Sequence, residues 1–169
     1  NALLGTNQIE SRPMVRTNVY KVIALLALTI FFFSAPHTSH AQACNAAVQS
    51  DDALRYTPQT IEVPRACKDF TVTLTHSGRL PLLAMGHNWV LAKQSDMAGV
   101  ARTGMLAGAD NQYVDPTDRR VIAHTNVIGG GQTTSVSFDV SALQAGETYA
   151  FFCTFAGHSP VMHGTVVLQ

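Results

Sequence analysis

Several short stretches of this chain alternate apolar and polar residues with a period of two. The clearest are 70–76 and 135–140, in which Val, Leu and Phe alternate with Thr, Ser and Asp. Because successive side chains of a strand point to opposite faces, this period predicts strands with one buried face and one solvated face. Further runs rich in β-branched or aromatic residues predict strands at 88–91, 120–125, 149–153 and 164–168.

Turn-forming sequences separate these runs and indicate the fold class. Ser77-Gly78, the three glycines at 129–131 and Ala145-Gly146 each fall between two predicted strands. Glycine and serine are residues that tight turns favour. Many short strands at this spacing predict an all-β domain, either a sandwich or a barrel.

One segment departs from the strand pattern and predicts a helix. Ser95 and Asp96 are suited to the start, and Gly108 to the end, of a helix from about 97 to 106. Its inner side is expected to hold Met97, Val100 and Met105. An inserted helix of this kind would lie outside the sheets as a short flap.

The first 41 residues are predicted to be a secretory signal peptide. Arg12, Arg16 and Lys21 precede an apolar run at 22–33, and a polar stretch with small residues near its end follows. Charged, apolar and cleavage regions in this order are typical of a signal peptide. A membrane span is the weaker alternative, because the apolar run is shorter than the roughly 20 residues that cross a bilayer.

Cleavage is expected after Ala41, with Ala43 as the second choice, and Met14 is an alternative first residue of the leader. Removal of the leader would give residues 42–169, a length that suits one compact domain and is too short for two. We expect this domain to be exported to the periplasm and to be a monomer.

The charge of the mature domain excludes one class of partner. The leader carries three of the eleven basic residues and one of the eleven acidic residues, so the mature domain is weakly acidic. No run of Lys or Arg occurs in it, and nucleic acid is therefore not an expected partner. No apolar segment after residue 33 is long enough to hold the mature protein in a membrane.

Three cysteines in an exported chain imply one disulfide and one thiol with another role. Cys44 and Cys67 flank a short N-terminal stretch, whereas Cys153 lies near the C-terminus. We predict a Cys44–Cys67 disulfide and a free Cys153. A lipid anchor on Cys44 is a weaker alternative, since it would leave Cys67 without a partner.

The free cysteine shares a short loop with two other metal-binding side chains. Cys153, His158 and Met162 lie within ten residues. Two histidines, one cysteine and a weakly bound methionine adapt copper to one-electron transfer, so the loop predicts a type 1 copper site that lacks one histidine. His87 is the best candidate, because Gly86 before it lets the backbone approach the metal and offers its carbonyl as a further ligand.

Asn88, next to His87, is predicted to hydrogen-bond to the backbone around Cys153 and Thr154 and so to hold the two ligand segments together. Trp89 is predicted to be a buried core aromatic residue.

With these motifs the chain resembles the azurins, the bacterial blue-copper proteins of the cupredoxin family. The resemblance extends from residue 44 to 168 and includes the spacing of the ligand loop. Azurins place four residues between the cysteine and the histidine and three between that histidine and the methionine, as here, whereas plastocyanins and pseudoazurins use two and four. The most specific matching segments are 85–91, 121–125, 135–140 and 151–155.

The resemblance implies a cupredoxin-like Greek-key β-sandwich with a short helical flap and the same disulfide. The ligand set that it implies is Gly86, His87, Cys153, His158 and Met162, around one type 1 copper ion. Asn88 and Phe155 are expected beside the ligands. An apolar docking patch is expected to comprise Leu80, Met85, Met105, Phe155, Ala156 and Gly157.

By the same resemblance, His76 is a partly buried residue near the ligand loops and His124 a surface residue outside the site. The ligand loop departs from the azurin pattern in three places. Ala156 stands where proline is frequent, Pro160 follows Ser159, and His163 stands where lysine is common.

The expected function is electron transfer between redox partners such as c-type cytochromes or periplasmic reductases, with transient docking. We do not expect an enzyme, because the ligand set leaves no open position for water and no general base lies beside it. A copper store or chaperone without a redox role is the alternative. Such proteins favour flexible, exposed Met and His clusters, and this chain has one compact ligand set instead.

Overall fold

The computed structural model describes residues 43–169, and the predicted signal peptide 1–41 lies outside them. Nine strands run along the described chain: β1 Asn45–Ser50, β2 Tyr56–Thr57, β3 Thr60–Val63, β4 Asp69–His76, β5 Val90–Lys93, β6 Ala123–His124, β7 Thr133–Asp139, β8 Tyr149–Phe152 and β9 His163–Leu168. Two α-helices are described, α1 Leu82–Met85 and α2 Met97–Ala107, with short 3-10 turns at Gln94–Asp96, Ala109–Asn111 and Val140–Ala142.

The strands form two sheets, in the order β2-β1-β4-β7 and β3-β9-β8-β5-β6. Strands β1 and β4 are parallel, as are β3 and β9, and the other pairs are antiparallel. The predicted all-β sandwich with a short helix is confirmed. Each of the six predicted strands is present, although the run at 120–125 pairs only at Ala123–His124.

The core lies between the two sheets and is rich in aromatic rings. Trp89 is fully buried, as predicted, and stacks on Phe151 and Phe138 at ring-centroid distances of 5.8 and 6.3 Å. Along β4, Phe70, Val72 and Leu74 point inward and alternate with less buried threonines. The same alternation places His76, the last residue of β4, on the inner face.

Helix α2 covers the outer face of the five-stranded sheet. Val100 and Ala101 pack with Val90, Ala150 and Phe152 of β5 and β8, which explains why β8 is buried on both faces. The helix ends at Ala107, and Gly108 caps it with a φ of 73°, which lies in the left-handed region that glycine tolerates. The predicted helix is therefore present, one residue longer than expected.

Two details of the predicted helix are wrong. Met105 is 43% exposed, because Gly104 is the residue that faces inward at this turn. A Cβ on Gly104 would lie 2.3 Å from the carbonyl oxygen of Tyr113, so only glycine lets the helix lie this close. Asp96 makes no side-chain capping bond, since a 3-10 turn precedes the helix and the Met97 N–H donates to the Gln94 carbonyl.

None of the helices in residues 43–169 is long and apolar enough to span a membrane. The predicted disulfide between Cys44 and Cys67 is present, with the two Cα atoms 5.7 Å apart. Cys153 is the one free cysteine of the described chain, and it is buried.

Asp118 fastens the loop after α2 to that helix. Its carboxylate accepts hydrogen bonds from Thr103 Oγ1 at 2.8 Å and from Arg120 Nε and Nη2 at 2.8 and 2.6 Å. The Arg120 side chain, followed by the Thr103 hydroxyl, holds the pKa of Asp118 well below its usual range. The ionised form is therefore the form that the folded protein stabilises.

We expect Asp118→Asn to lower the free energy of unfolding by about 1–2 kcal/mol at pH 7, because charge-assisted hydrogen bonds are lost. Arg120 is partly exposed, and solvent therefore limits the size of the effect. Because the pKa of Asp118 is lower in the folded protein than in the unfolded chain, its ionised carboxylate stabilises the fold at pH values above about 3.9, the pKa of an aspartate in the unfolded chain. This stabilisation is lost as the pH falls from there towards the pKa of Asp118 in the folded protein. Urea unfolding at pH 7 and pH 3 should show the difference between wild type and variant shrinking in acid. A difference independent of pH would contradict this, and Asp110→Asn, at an exposed carboxylate, is the control.

Candidate metal centre

The predicted ligands converge at one end of the five-stranded sheet. His87 lies just before β5, and Cys153 follows the last residue of β8. Strands β5 and β8 are antiparallel with Val90 opposite Phe152, so the start of one strand lies beside the end of the other. The pairing thus brings together two residues that are 66 positions apart in the sequence.

Three donor atoms meet in this place. Cys153 Sγ lies 3.9 Å from His87 Nδ1 and 3.7 Å from His158 Nδ1. The three donor atoms all lie within 4.8 Å of one another, and all three residues are buried. The carbonyl oxygen of Gly86 is 3.9 Å from the same sulfur. Gly86, His87, Cys153 and His158, four of the residues that the sequence singled out, therefore lie together.

His87 is held with its Nδ1 atom free for a ligand. Its Nε2 lies 2.9 Å from the carbonyl oxygen of Asp51, an acceptor, so this nitrogen carries the proton. Burial lowers the pKa of His87 to about 4, with smaller contributions from His76 and His158. The ring is therefore neutral at pH 7 and directs a lone pair towards Cys153, as a metal ligand requires.

His158 sits in a tight turn of the β8–β9 loop. Its N–H donates to the carbonyl of Phe155, and its carbonyl accepts from the N–H groups of Val161 and Met162. The Phe155 ring lies against the imidazole at 4.8 Å. His158 is 7% exposed whereas His87 is fully buried, so His158 is the nearer of the two to solvent. Burial lowers the pKa of His158 as well.

Cys153 and Met162 are linked through the backbone, since the Cys153 N–H donates to the Met162 carbonyl at 3.1 Å. Both side chains are fully buried. Burial raises the pKa of the Cys153 thiol to about 11, against the effect of nearby hydrogen-bond donors. Without a metal the cysteine is therefore protonated at pH 7, and binding of a metal would displace that proton.

Asn88 joins the two ligand segments by the hydrogen bonds expected from the sequence. Its Nδ2 donates to Thr154 Oγ1 at 2.8 Å, and its Oδ1 accepts from the Thr154 N–H at 2.9 Å. The same Nδ2 also donates to the carbonyl of Gln112 at 3.1 Å. All the polar atoms of this side chain are thus engaged, and its amide joins the segment of His87 to Thr154, the residue after Cys153, and to the turn after α2.

Sequence reasoning missed the residues that support the site from outside. Gln112 and Tyr113 have φ values of 56° and 54°, a left-handed conformation that is uncommon outside glycine. The side-chain oxygen of Gln112 also accepts from the Val127 N–H, and the Tyr113 ring lies 4.8 Å from Phe155. Neither residue carries a local sequence signal, because both roles depend on where the turn after α2 lies.

The remaining histidines lie in different environments. His76 is fully buried rather than partly buried, and it stacks on His87 at 4.4 Å. Its Nδ1 accepts from the Gly78 N–H, and its Nε2 lies 3.0 Å from the Met85 carbonyl. His124 and His163 are exposed and are not part of the donor cluster.

The residues expected in the docking patch differ in exposure. Leu80 and Met105 are 41% and 43% exposed, and Ala156 and Gly157 are also exposed. Met85 and Phe155 are partly buried. Leu83, which the sequence reasoning did not single out, is 85% exposed on α1.

The spacing of the donor atoms fits one metal ion. Metal–nitrogen and metal–sulfur bonds in proteins are about 2.1 and 2.3 Å long, so two such ligands at angles of about 110–120° stand about 3.6–3.8 Å apart. The two Sγ–Nδ1 distances of 3.9 and 3.7 Å are close to this separation. One thiolate with two imidazoles is also the donor chemistry of copper electron-transfer sites.

Residues 42–169 match the family described as copper binding proteins, plastocyanin/azurin family. The chain belongs to this family. Copper is accordingly its cofactor, and His87, Cys153 and His158 form its candidate metal site.

Several azurins, which are members of this family, are similar to the chain in sequence. An azurin of Pseudomonas chlororaphis is 55% identical over 126 residues, which are 75% of this chain and 98% of the relative. An azurin of Pseudomonas aeruginosa is 50% identical over 129 residues, 76% of this chain and 87% of the relative. The solved structure of the azurin Az-iso2 from the obligate methylotroph Methylomonas sp. strain J superimposes with a TM-score of 0.73 and 50% identity, over 75% of this chain and 98% of that one. The expected resemblance to azurins is confirmed.

Proposed function

We propose that this protein is a blue-copper electron carrier, which accepts one electron from a redox partner and passes it to another. The proposal is supported by the buried cluster of His87, Cys153 and His158, whose donor atoms lie close enough together to bind one metal ion. Bound copper would alternate between Cu(I) and Cu(II) and so carry the electron. The protein supplies the geometry, the exclusion of water and the route to the surface.

We infer a larger ligand set around the cluster, with Met162 and the Gly86 carbonyl as weak ligands. Met162 is buried, and its backbone is hydrogen-bonded to both Cys153 and His158. The Gly86 carbonyl lies near the sulfur, and a Cβ at Gly86 would come within 2.8 Å of the Phe155 ring. Glycine at this position therefore lets the backbone occupy the space beside the site.

Little motion of the protein is needed for such a reaction. His87 is held by Asp51, and the segment around Cys153 is held by Asn88. Because His87 and the segment around Cys153 are held by these hydrogen bonds, their positions change little when the charge of the site changes. A small rearrangement is what allows fast one-electron exchange, and it also distinguishes a carrier from a flexible copper store.

We infer that electrons enter and leave through the edge of His158, within the docking patch defined by Leu80, Met85, Met105, Phe155, Ala156 and Gly157. A small apolar surface without charged groups suits brief encounters, since interfaces of redox partners are small and weakly bound. Partners of this kind are other redox proteins, such as c-type cytochromes or periplasmic reductases.

We further infer export to the periplasm after removal of residues 1–41, and a monomeric mature protein. The disulfide between Cys44 and Cys67 supports an oxidising compartment. We expect no substrate chemistry, because the expected ligand set leaves no open position for water at the metal.

The test of the proposed function is the visible spectrum and the voltammetry of the copper-loaded protein. An electron carrier should show an intense sulfur-to-copper band that disappears on reduction, with a reversible one-electron wave. A colourless protein that binds copper only as Cu(I) would refute electron transfer and favour the storage alternative.

The docking patch is tested by Leu80→Lys. We expect the second-order rate constant of electron exchange with a c-type cytochrome to fall about tenfold, because the lysine ammonium would have to be desolvated in the encounter. The midpoint potential should stay unchanged, since Leu80 is exposed and is not part of the donor cluster. Stopped-flow kinetics give the rate. Val167→Lys, at an exposed apolar residue of β9, is the matched control, and an equal fall in both variants would argue against the patch.

A further inference from the structure

Asp51 holds the ligand His87 through its backbone, and its side chain shapes the turn in which that backbone lies. The Asp51 carbonyl accepts two hydrogen bonds, one from His87 Nε2 at 2.9 Å and one from the Leu54 N–H at 3.2 Å. The second bond closes a turn over residues 51–54. Aspartate is favoured at the first position of a turn, because its carboxylate can accept from the backbone N–H two residues on.

Both oxygens of the Asp51 carboxylate are engaged in this way. Oδ1 accepts from the N–H groups of Ala53 at 2.9 Å and of Arg55 at 3.2 Å. Oδ2 accepts from Arg55 Nε and Nη2 at 3.0 and 2.8 Å. The Arg55 side chain is 69% exposed, so the ion pair contributes little by itself. The bonds of Oδ1 to the backbone are therefore the main constraint on the turn.

Leu54 has a backbone conformation that the turn must maintain. Its φ of 61° lies in the left-handed region, which is uncommon for a residue with a side chain. Such a conformation persists only where the surrounding structure fixes it. The Asp51 carboxylate bonds to the N–H groups on either side of Leu54, those of Ala53 and Arg55. Without these bonds we expect the turn to relax and the Asp51 carbonyl to move relative to His87.

We propose that Asp51 is a positioning residue of the metal centre, because its carboxylate sets the turn whose carbonyl fixes the tautomer and the orientation of His87. A group that accepts a hydrogen bond from the second nitrogen of a ligand histidine orients the ring towards the metal. The inference rests on the proposed function as a copper electron carrier and extends it to a side chain that supplies no ligand.

The first test uses the metal-free protein and the signal of the His87 Nε2–H group in proton–nitrogen correlation NMR. This proton is buried and hydrogen-bonded, so its exchange with water should be slow in the wild-type protein. Asp51→Ala removes the carboxylate and leaves the carbonyl. The exchange rate should rise about tenfold, because the turn that carries the acceptor opens more often.

The second test is copper affinity, measured by competition with a chelator of known affinity. Loss of a group that orients a ligand weakens metal binding about ten- to hundredfold. Asp52 still ties this loop to the Arg79 N–H at 2.8 Å, so we expect the lower end of that range for Asp51→Ala, about tenfold. Asp51→Asn keeps an oxygen that accepts from the same backbone N–H groups, and its affinity should stay within about twofold of wild type.

Asp139→Ala is the matched control. The Asp139 carboxylate likewise accepts from the N–H two residues on, that of Ser141 at 2.7 Å. Asp139 lies beside the first residue of β4, whereas the last residue of β4, His76, stacks on His87. Urea unfolding of the metal-free variants shows how much each turn contributes to the fold alone. Faster exchange and weaker copper binding in Asp51→Ala, with Asp51→Asn and Asp139→Ala near wild type, support the proposal.

An unchanged exchange rate or copper affinity in Asp51→Ala would overturn the inference and leave the proposed function intact. The same holds for an equal loss in Asp139→Ala, or for an Asp51→Asn variant that behaves like Asp51→Ala. A copper-loaded wild-type protein without the intense visible band would instead refute the proposed function, and with it a positioning role at a copper site.

Discussion

Cys153→Ser should abolish the intense visible band of the copper-loaded protein completely. The sulfur is the one thiolate available at the site, because Cys44 and Cys67 are joined in the disulfide. A serine hydroxyl is a hard ligand that stays protonated at pH 7, so it offers neither the strong bond nor the charge-transfer transition of a thiolate. Absorption spectroscopy after addition of one equivalent of copper measures the effect.

His124→Gln is the control, since His124 is an exposed histidine outside the donor cluster and its loss should leave the band unchanged. Circular dichroism should show that Cys153→Ser keeps the β-sheet signal, because the substitution is nearly isosteric. An intense band in Cys153→Ser would mean that the colour arises at another site, and the assignment of Cys153 would be wrong.

Asn88→Ala is expected to lower the free energy of unfolding of the metal-free protein by about 3–5 kcal/mol. Three side-chain hydrogen bonds are lost, two to Thr154 and one to the carbonyl of Gln112. The Thr154 N–H would also remain buried without a partner, which costs about 1–3 kcal/mol by itself. Urea unfolding followed by tryptophan fluorescence gives the value, since Trp89 lies in the core.

The matched control is Asn111→Ala, in which an exposed asparagine loses one bond to the Ala107 carbonyl. This variant should stay within about 0.5 kcal/mol of wild type. In the copper-loaded form Asn88→Ala should also broaden or shift the visible band, because the segments around His87 and Cys153 are no longer held together. Equal stability of the two asparagine variants would contradict the central role of Asn88.

The strands that the sequence predicted have a strand-forming pattern in their own residues, whereas the strands that it did not predict lack one. In β4 and β7, β-branched and aromatic residues alternate with polar ones, so the strand is visible in the sequence itself. Strand β1 reads Asn-Ala-Ala-Val-Gln-Ser, a sequence with little strand propensity. It becomes a strand because it lies between β2 and β4, and that placement is a property of the tertiary structure.

The sequence by itself determined the strands with an alternating pattern, helix α2, the cysteine pairing and the chemistry of the ligand loop. Each of these depends on residues that are close in the chain or on a simple count. The position of His87 beside Cys153 required the pairing of β5 with β8, and the sequence indicated it only through the glycine before it and the family resemblance.

The tertiary structure alone decided how the site is held. Tyr56, Gln112 and Tyr113 reach Asn88 and Phe155 across distances in sequence that no local pattern spans. It also decided that Gly104, and not Met105, faces the sheet, because the close approach of the Tyr113 carbonyl leaves no room for a side chain. The ligands were thus readable from chemical type and spacing, whereas their supports depended on which surfaces the folded chain brings into contact.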